Sequence, residues 1–283
     1  FPTSDKEKYC LITPKYKIVD WYATPIPDED LVMSVRTPLR HVGMGLMLAL
    51  DPNEHIALSQ MDYPEYGISP KLQMVTERGK WYIGLSGHKA QHADLTVELG
   101  FSSDMGVTSE RYPDEVGKGQ IQTTEDFGIE ISTEDLADVD FYLHNLGVPA
   151  RRNLDNPIVK RGEEMFYRAK CHLCHTPTRK TRPDPIYLLD GTAQPQLSNQ
   201  TINPYSDFLL HDMGEALGDD YDQFNATGDE WRTAPLWGIG LQMIVNGHTH
   251  FLHDARARNL IEAIMWHKGG EGDVSTEIFK NMS

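Results

Sequence analysis

The chain has 283 residues, 39% of them hydrophobic, and a formal charge of −16. That apolar content supports a packed core and excludes a disordered protein, and so acidic a balance argues against nucleic acid as the main partner. No run of about 18 apolar residues occurs, so no transmembrane segment is expected, and the opening Phe1-Pro2-Thr3-Ser4-Asp5 does not read as a signal peptide.

Residues 1–40 are punctuated by Pro2, Pro14, Pro25, Pro27 and Pro38, and only Tyr16 to Tyr22 reads as a strand. Proline cannot donate to a ladder, so extended chain wrapped over the rest is expected. Of the three cysteines, Cys10 stands apart, either as a buried or unpaired thiol or as half of a disulfide to another chain. Around 73–83, Gln73-Met74-Val75 and Trp81-Tyr82-Ile83 flank a turn in which Gly79 suits positive φ, predicting a hairpin. Residues 93–101 read as a helix.

Ser132-Thr133-Glu134-Asp135 puts a carboxylate three positions after a capping residue. Leu136, Val139, Leu143 and Leu146 then recur at helical spacing until Gly147 and Pro149 end the helix. Residues 156–170 form the next helix, with Ile158, Gly162, Met165, Phe166 and Ala169 along one face. The glycine would admit a second helix, with Phe166 filling the space beside it, and the helix is expected to run directly into Cys171. From 177 to 230 the chain is mostly loop, a length that points to function or to wrapping round a ligand. The last helix that the pattern supports is Arg258 to Lys268, closed by Gly269-Gly270.

The chemistry lies in Cys171-His172-Leu173-Cys174-His175. Two thiols three positions apart on one helical turn face the same side. They can add to the two vinyl groups of one porphyrin, leaving the next His under the ring as an iron ligand. Zinc is the competing reading and would need a second ligand pair, for which His248-Thr249-His250 could serve. A redox CxxC is the third, although no βαβ pattern surrounds it. His172 reads as a solvent-facing filler.

The helix ending at this motif is similar to the first helix of a cytochrome c, a resemblance that implies a backbone carbonyl near Pro177 taking the Nδ1 proton of His175. From about His41 onward the chain resembles the di-haem cytochrome c peroxidase-like proteins, in the thiol oxidoreductase or di-haem oxidoreductase branch. The strongest stretches are Pro204-Tyr205-Ser206-Asp207-Phe208-Leu209-Leu210-His211-Asp212-Met213-Gly214 and Glu230-Trp231-Arg232-Thr233-Ala234-Pro235-Leu236-Trp237-Gly238. Leu252-His253-Asp254-Ala255-Arg256-Ala257-Arg258 and Trp266-His267 follow, and Lys89-Ala90 and Ser103-Asp104-Met105-Gly106-Val107-Thr108 match upstream.

The resemblance implies a sixth iron ligand from the helix after the His-Asp-Gly-like motif at His253. His267 stands there, where the wider family has Met or Tyr, and it would make a bis-His, six-coordinate haem with no open position for peroxide. Otherwise His267 is a helix C-terminal His favoured by the dipole, and Met213 or Met265 takes its place on the iron. His211 and His253 match positions at the haem edge, for hydrogen bonds to propionates or to the inter-domain region. Arg256 and Arg258 would pair with propionates or stay as solvated charges, and Trp231, Trp237 and Trp266 would pack on the ring.

Several residues depart from the family. Two CxxCH motifs are usual and this chain has one. Leu48, in Gly43-Met44-Gly45-Leu46-Met47-Leu48, replaces an acid. Gly84-Leu85-Ser86-Gly87-His88-Lys89-Ala90 replaces Gly-Arg-Phe-Gly-Trp-Lys-Ala, and His253-Asp254-Ala255 replaces His-Asp-Gly. Asp104, a catalytic acid in the peroxidases, survives as a weak signal, and His88 is a candidate ligand to a haem of another chain. Related proteins carry calcium between domains, but the corresponding loop, His248 to Phe251, has no carboxylate.

The fold expected is mainly α: a cytochrome c-like C-terminal domain with long loops over 132–283, and before it, over 1–131, an irregular segment with a small β-hairpin and part of a second cytochrome c-like domain lacking its own CxxCH. Three functions follow. The first is a c-type cytochrome carrying electrons through one covalent haem c, as a subunit or docked to a redox protein partner. The second is a portion of a di-haem peroxidase or MauG-like oxidase whose catalytic haem lies outside this chain. The third is a structural subunit with a vestigial haem. The family implies a periplasmic or otherwise extracytoplasmic location.

Overall fold

A computed structural model describes residues 11–17, 32–77, 79–95, 99, 107–114 and 128–282. Cys10, Asp104 and most of the strand expected at Tyr16 to Tyr22 lie outside the described residues, as does much of the helix expected at 93–101. Seven α-helices are described, joined by short antiparallel strand pairs, and the helical content of 29% is compatible with a mainly α class.

Two short helices open the described core: α1, Met44–Leu48, and α2, Pro52–Leu58. Neither is anticipated above; each spans two turns or less, too short for a periodic apolar face to show. Asp51 caps α2 by accepting from the Asn53 N–H at 2.9 Å, with Pro52 at the first helical position. The expected hairpin is β1, Met74–Glu77, against β2, Lys80–Ile83, with Gly79 at φ +73°.

Helix α3, Thr133–Asn145, begins where the capping signal places it: Ser132 Oγ accepts from the Asp135 N–H at 3.1 Å. Leu136 and Leu143 are buried, whereas Val139 is 46% exposed and leaves the expected stripe. Helix α4, Pro157–Arg168, is capped by Asn156, which accepts from the Ile158 N–H at 2.9 Å. It does not run into Cys171. Lys170 adopts φ +67° and breaks the helix, and Cys171–Leu173 then forms a separate 3₁₀ turn. Nor, among the described residues, does a second helix lie on Gly162, where an added Cβ would meet nothing within 4 Å. Ile158, expected on the inward face, is 81% exposed.

After the turn, β3 (Arg179–Lys180) pairs with β6 (Thr201–Ile202) and β4 (Ile186–Tyr187) with β5 (Ala193–Gln194). Next, β7 (Leu210–Asp212) pairs with β8 (Glu230–Arg232). Helices α5, Gln242–Asn246, and α6, Leu260–Trp266, follow, the latter inside the span expected for the last helix. A further helix, α7, Asp273–Lys280, then closes the described chain, so the expectation that helices end at Lys268 is corrected. Only Thr276 of its eight residues is buried, and the helix spans little more than two turns.

The main core joins Met44, Met47 and Leu48 of α1 to Leu136 and Leu143 of α3, and to Phe208 and Trp237 far along the chain. Helix α1 lies against α3 at Gly45, where a Cβ would stand 2.0 Å from the His144 carbonyl oxygen. Only glycine allows so close a backbone approach. Backbone bonds also tie the early segments to the later ones: Lys71 exchanges two with Leu210, each 2.9 Å, and the Arg232 N–H donates to the His88 carbonyl at 2.9 Å. A smaller core of Leu217, Ala257, Ala263 and Trp266 supports α6.

Candidate functional site

The sites of interest surround one cavity of about 1000 Å³, at the upper end of the range for cofactor pockets. Cys171, Cys174 and His175 enter it from the turn after α4, His211 from β7, Trp231 from β8, and His267 from the end of α6. Residues 96 positions apart in sequence are thus brought to one wall-lined space through the packing of α6 on its own small core.

His175 and His267 face one another with ring centroids 6.4 Å apart. A metal bonded to both imidazoles, at about 2.0–2.1 Å from each nitrogen and about 1.1 Å more to each ring centre, needs roughly 6.2–6.4 Å. Each ring is held through Nδ1: His175 donates to the Tyr205 carbonyl at 2.9 Å and His267 to the Ala263 carbonyl at 2.7 Å. A proton assigned to Nδ1 by these bonds leaves Nε2 bare, the tautomer a metal requires. Burial pushes His175 down to about 4, helped by nearby His267, and burial also lowers His267. Both imidazoles are therefore neutral at ordinary pH. The carbonyl holding His175 comes from Tyr205 and not from the Pro177 neighbourhood; Tyr205 has φ +52°, a costly conformation for a bulky residue.

Burial raises both thiols, Cys171 to about 11. Neutral thiols of this kind are unlike the low-pKa pair of a redox CxxC. Among the described residues one group of ligand atoms converges, Cys174, His211 and Glu271, and neither His248 nor His250 belongs to it. His248 and His250 line the same cavity and stand edge to face, centroids 5.4 Å apart, but their nitrogens do not converge with the cysteine sulfurs as a four-ligand zinc site requires. Two thiols, two opposed neutral imidazoles and a mostly apolar cavity fit a covalently attached haem.

His211 lines the cavity with both nitrogens engaged: Nε2 with Asp207 Oδ2 at 2.8 Å and Nδ1 with Glu271 Oε2 at 2.5 Å. Cys174 Sγ is 3.5 Å from the same Nδ1. Burial pulls the imidazole down, but the Asp207 carboxylate and the other neighbours outweigh it, and His211 lies well above its ordinary value. It is a buried imidazolium clamped by two carboxylates. Neither Asp207 nor Glu271 carries a sequence signal for this role; Glu271 lies 60 residues from His211.

Trp231 lines the cavity, stacked on His253 with centroids 3.7 Å apart and planes 14° from parallel. Its indole N–H donates to the Leu217 carbonyl at 3.0 Å. Lys89 Nζ lies 4.3 Å and the Arg36 guanidinium 5.2 Å from its ring centroid. Lys89 is fully buried; it pairs with Asp219 at 3.1 Å and donates to the Thr227 and Gly228 carbonyls. His88, considered above as a ligand, bonds the Thr37 carbonyl through Nε2 at 2.7 Å, and burial pushes it down to about 4.

Arg256 and Arg258 do not line the cavity. Arg256 pairs with Asp254 at 2.8 Å, both buried, and Arg258 pairs with Glu262. Trp237 lines the cavity but Trp266 does not; the Arg256 guanidinium lies 4.8 Å over its ring. Of the two methionines, Met213 lines the cavity and Met265 does not. Phe166 packs between Tyr205 and His175, with centroids 5.5 and 6.5 Å away. His172 stays outside the cavity, its ring 4.9 Å from that of Tyr167. Among the described residues no helix is long and apolar enough to cross a membrane.

A family model described as "Di-haem oxidoreductase, putative peroxidase" matches residues 20–283. No curated protein and no solved structure matches the chain.

Proposed function

The chain belongs to the di-haem oxidoreductase family, and from that premise we propose that it is a c-type cytochrome carrying electrons through one covalent, bis-histidyl haem. The observation that carries the reading is the 6.4 Å separation of two neutral imidazoles, His175 and His267, each tethered at Nδ1, beside two thiols in one cavity. When bound, the haem supplies a one-electron couple.

The chain's own residues have defined parts. Cys171 and Cys174 would each add S–H across a vinyl group, forming two thioethers with no net oxidation. His175 and His267 would hold the iron through Nε2, and the Tyr205 and Ala263 carbonyls, by accepting from their Nδ1–H groups, would strengthen them as donors. An iron held by both imidazoles would leave no place for peroxide, which favours electron transfer over peroxidase turnover. Phe166, Trp231 and Trp237 keep the surroundings apolar, and the Asp207–His211–Glu271 clamp keeps a net negative charge by the Cys174 edge.

The same reading includes a haem domain over 132–283 with a partner domain over 1–131 that lacks its own CxxCH. It also includes an extracytoplasmic location, where covalent haem is attached, and a redox protein as partner. A second reading is favoured by the family match itself, which describes a peroxidase and extends from residue 20 through the region around His88. On that reading this haem feeds a catalytic haem outside the chain.

Intact mass and a pyridine haemochrome spectrum test the reading together: one haem is expected, retained after acid–acetone extraction, with a low-spin ferric spectrum. His267→Ala is expected to convert that spectrum to high-spin. A wild-type spectrum that is already high-spin, or that shows methionine ligation, would remove His267 and point to Met213. Peroxide turnover that appears only when a second haem protein is added, with none by the isolated chain, would favour the second reading.

A further inference from the structure

We propose that Arg40 is the cationic anchor for a haem propionate in this chain. The inference rests on the haem reading above and extends it to the part of the cofactor that thioethers and axial ligands leave unaccounted for.

A porphyrin of this type brings two carboxylates into a largely apolar cavity, and a carboxylate there needs a cation or several donors. The residues that the sequence offers for this task are committed elsewhere. Arg256 and Arg258 hold Asp254 and Glu262 and lie outside the cavity lining. His211 has both nitrogens on protein carboxylates and sits beside Cys174, at the edge where a thioether forms.

Three arginine or lysine side chains line the cavity: Arg40, Lys170 and Arg232. Arg232 is buried, with Nε on the Gly87 carbonyl at 2.7 Å and its guanidinium 5.6 Å over the Phe208 ring. Lys170 immediately precedes Cys171 and lies 5.4 Å over the Tyr66 ring. It therefore belongs to the thioether side, whereas propionates leave from the two pyrroles that carry no vinyl group.

Arg40 differs from both. It is exposed and lines the cavity, and its one side-chain hydrogen bond among the described residues is a long one, from a terminal nitrogen to the Trp237 carbonyl at 3.3 Å. No carboxylate pairs with it among the described residues, and burial alone, with no acid opposing it, lowers its pKa. Four of the five N–H donors of its planar fork remain for a bidentate carboxylate.

The test uses the full-length, haem-loaded chain and two variants, Arg40→Gln and Arg40→Lys. Two quantities are read: the haem midpoint potential and the propionate bending band in the resonance Raman spectrum. A cation beside a propionate favours the reduced haem, so Arg40→Gln is expected to lower the potential and shift the propionate band. Arg40→Lys keeps the charge and loses the fork, so the band is expected to shift while the potential stays nearer wild type. If Arg40→Gln does not yield folded protein, the band shift in Arg40→Lys decides. Unchanged band and potential in a variant whose haemochrome is intact would overturn the role of Arg40 and leave the haem reading standing. A wild-type chain with no haemochrome would remove both.

Discussion

On the haem reading proposed above, Gly272 is the position where a single methyl group should disturb the candidate ligand His267. An added Cβ would stand 2.3 Å from the His267 carbonyl oxygen and 2.8 Å from the His267 Cβ, while ordinary contact begins at 3.4 Å. The conflict is with backbone, so about 1 Å of displacement must be taken up by the α6–α7 connection. Overpacking of this kind costs about 2 kcal/mol, which for a chain of this size lowers Tm by roughly 4–8 °C. The same displacement carries the His267 ring away from its 6.4 Å spacing to His175, far enough to weaken a metal–nitrogen bond. Gly272→Ala is therefore expected to combine a lower Tm with a rising high-spin fraction in the ferric spectrum. Gly162→Ala is the control: its Cβ meets nothing within 4 Å, it lies inside α4, and it should leave the spectrum alone and raise stability by up to about 1 kcal/mol. A Gly272→Ala protein with wild-type Tm and a wholly low-spin spectrum would refute the packing argument.

Asp207→Asn removes one carboxylate from the buried His211 clamp and should destabilise the fold by about 3 kcal/mol at pH 6. Because the folded His211 lies well above its ordinary value, the stability it contributes is fully present below about pH 6.5 and is lost as pH rises through the raised value. Denaturant titrations should accordingly show the wild-type and variant curves converging on the alkaline side; a gap that widens with pH would contradict the imidazolium assignment. Gly45→Ala drives a Cβ to within 2.0 Å of the His144 carbonyl oxygen and should cost 1–3 kcal/mol, on the order expected for overpacking, seen in urea unfolding without a change of haem spectrum. Asn156→Ala strips the cap of α4 and should cost about 1 kcal/mol, again without moving His175 or His267, because the helix ends before the Cys171 turn.

What could be read in advance was local. Ser132 with Asp135, and the Cys171-to-His175 run, each carry their signal within five residues, and a capped helix and a tight turn lie at those positions. The hairpin at Gly79 is of the same kind. The inward face assigned to α4 failed for a physical reason: periodicity shows that Ile158 and Gly162 share a face, but not whether anything covers it, and among the described residues nothing does at Gly162. Short helices such as α1 carry too few turns to announce themselves, and α1 depends on a contact with His144 that lies about 100 residues away. Asp207 and Glu271 were invisible as partners of His211 because a single sequence holds no record of which distant carboxylate folds against which imidazole. Arg40, a lone charge near Pro38, gave no pattern at all, and the more conspicuous Arg256 and Arg258 turned out to serve Asp254 and Glu262.

The tether on His175 has a bearing on the order in which the molecule matures. The 204–208 segment is strapped to the cysteine turn by three bonds: Ser206 N–H to Thr176 O at 2.9 Å, Asp207 N–H to Cys174 O at 2.9 Å, and the His175 ring to Tyr205 O. Tyr205 and Phe208 both take left-handed backbone angles there, so the strap is not a conformation the free chain would rest in. If haem is attached to Cys171 and Cys174 as proposed, the chain would carry a poorly braced His175 imidazole until this segment docks. In a refolding experiment, colour change at the iron should lag behind the return of helical signal, making the chromophore a built-in stopwatch for the final docking event.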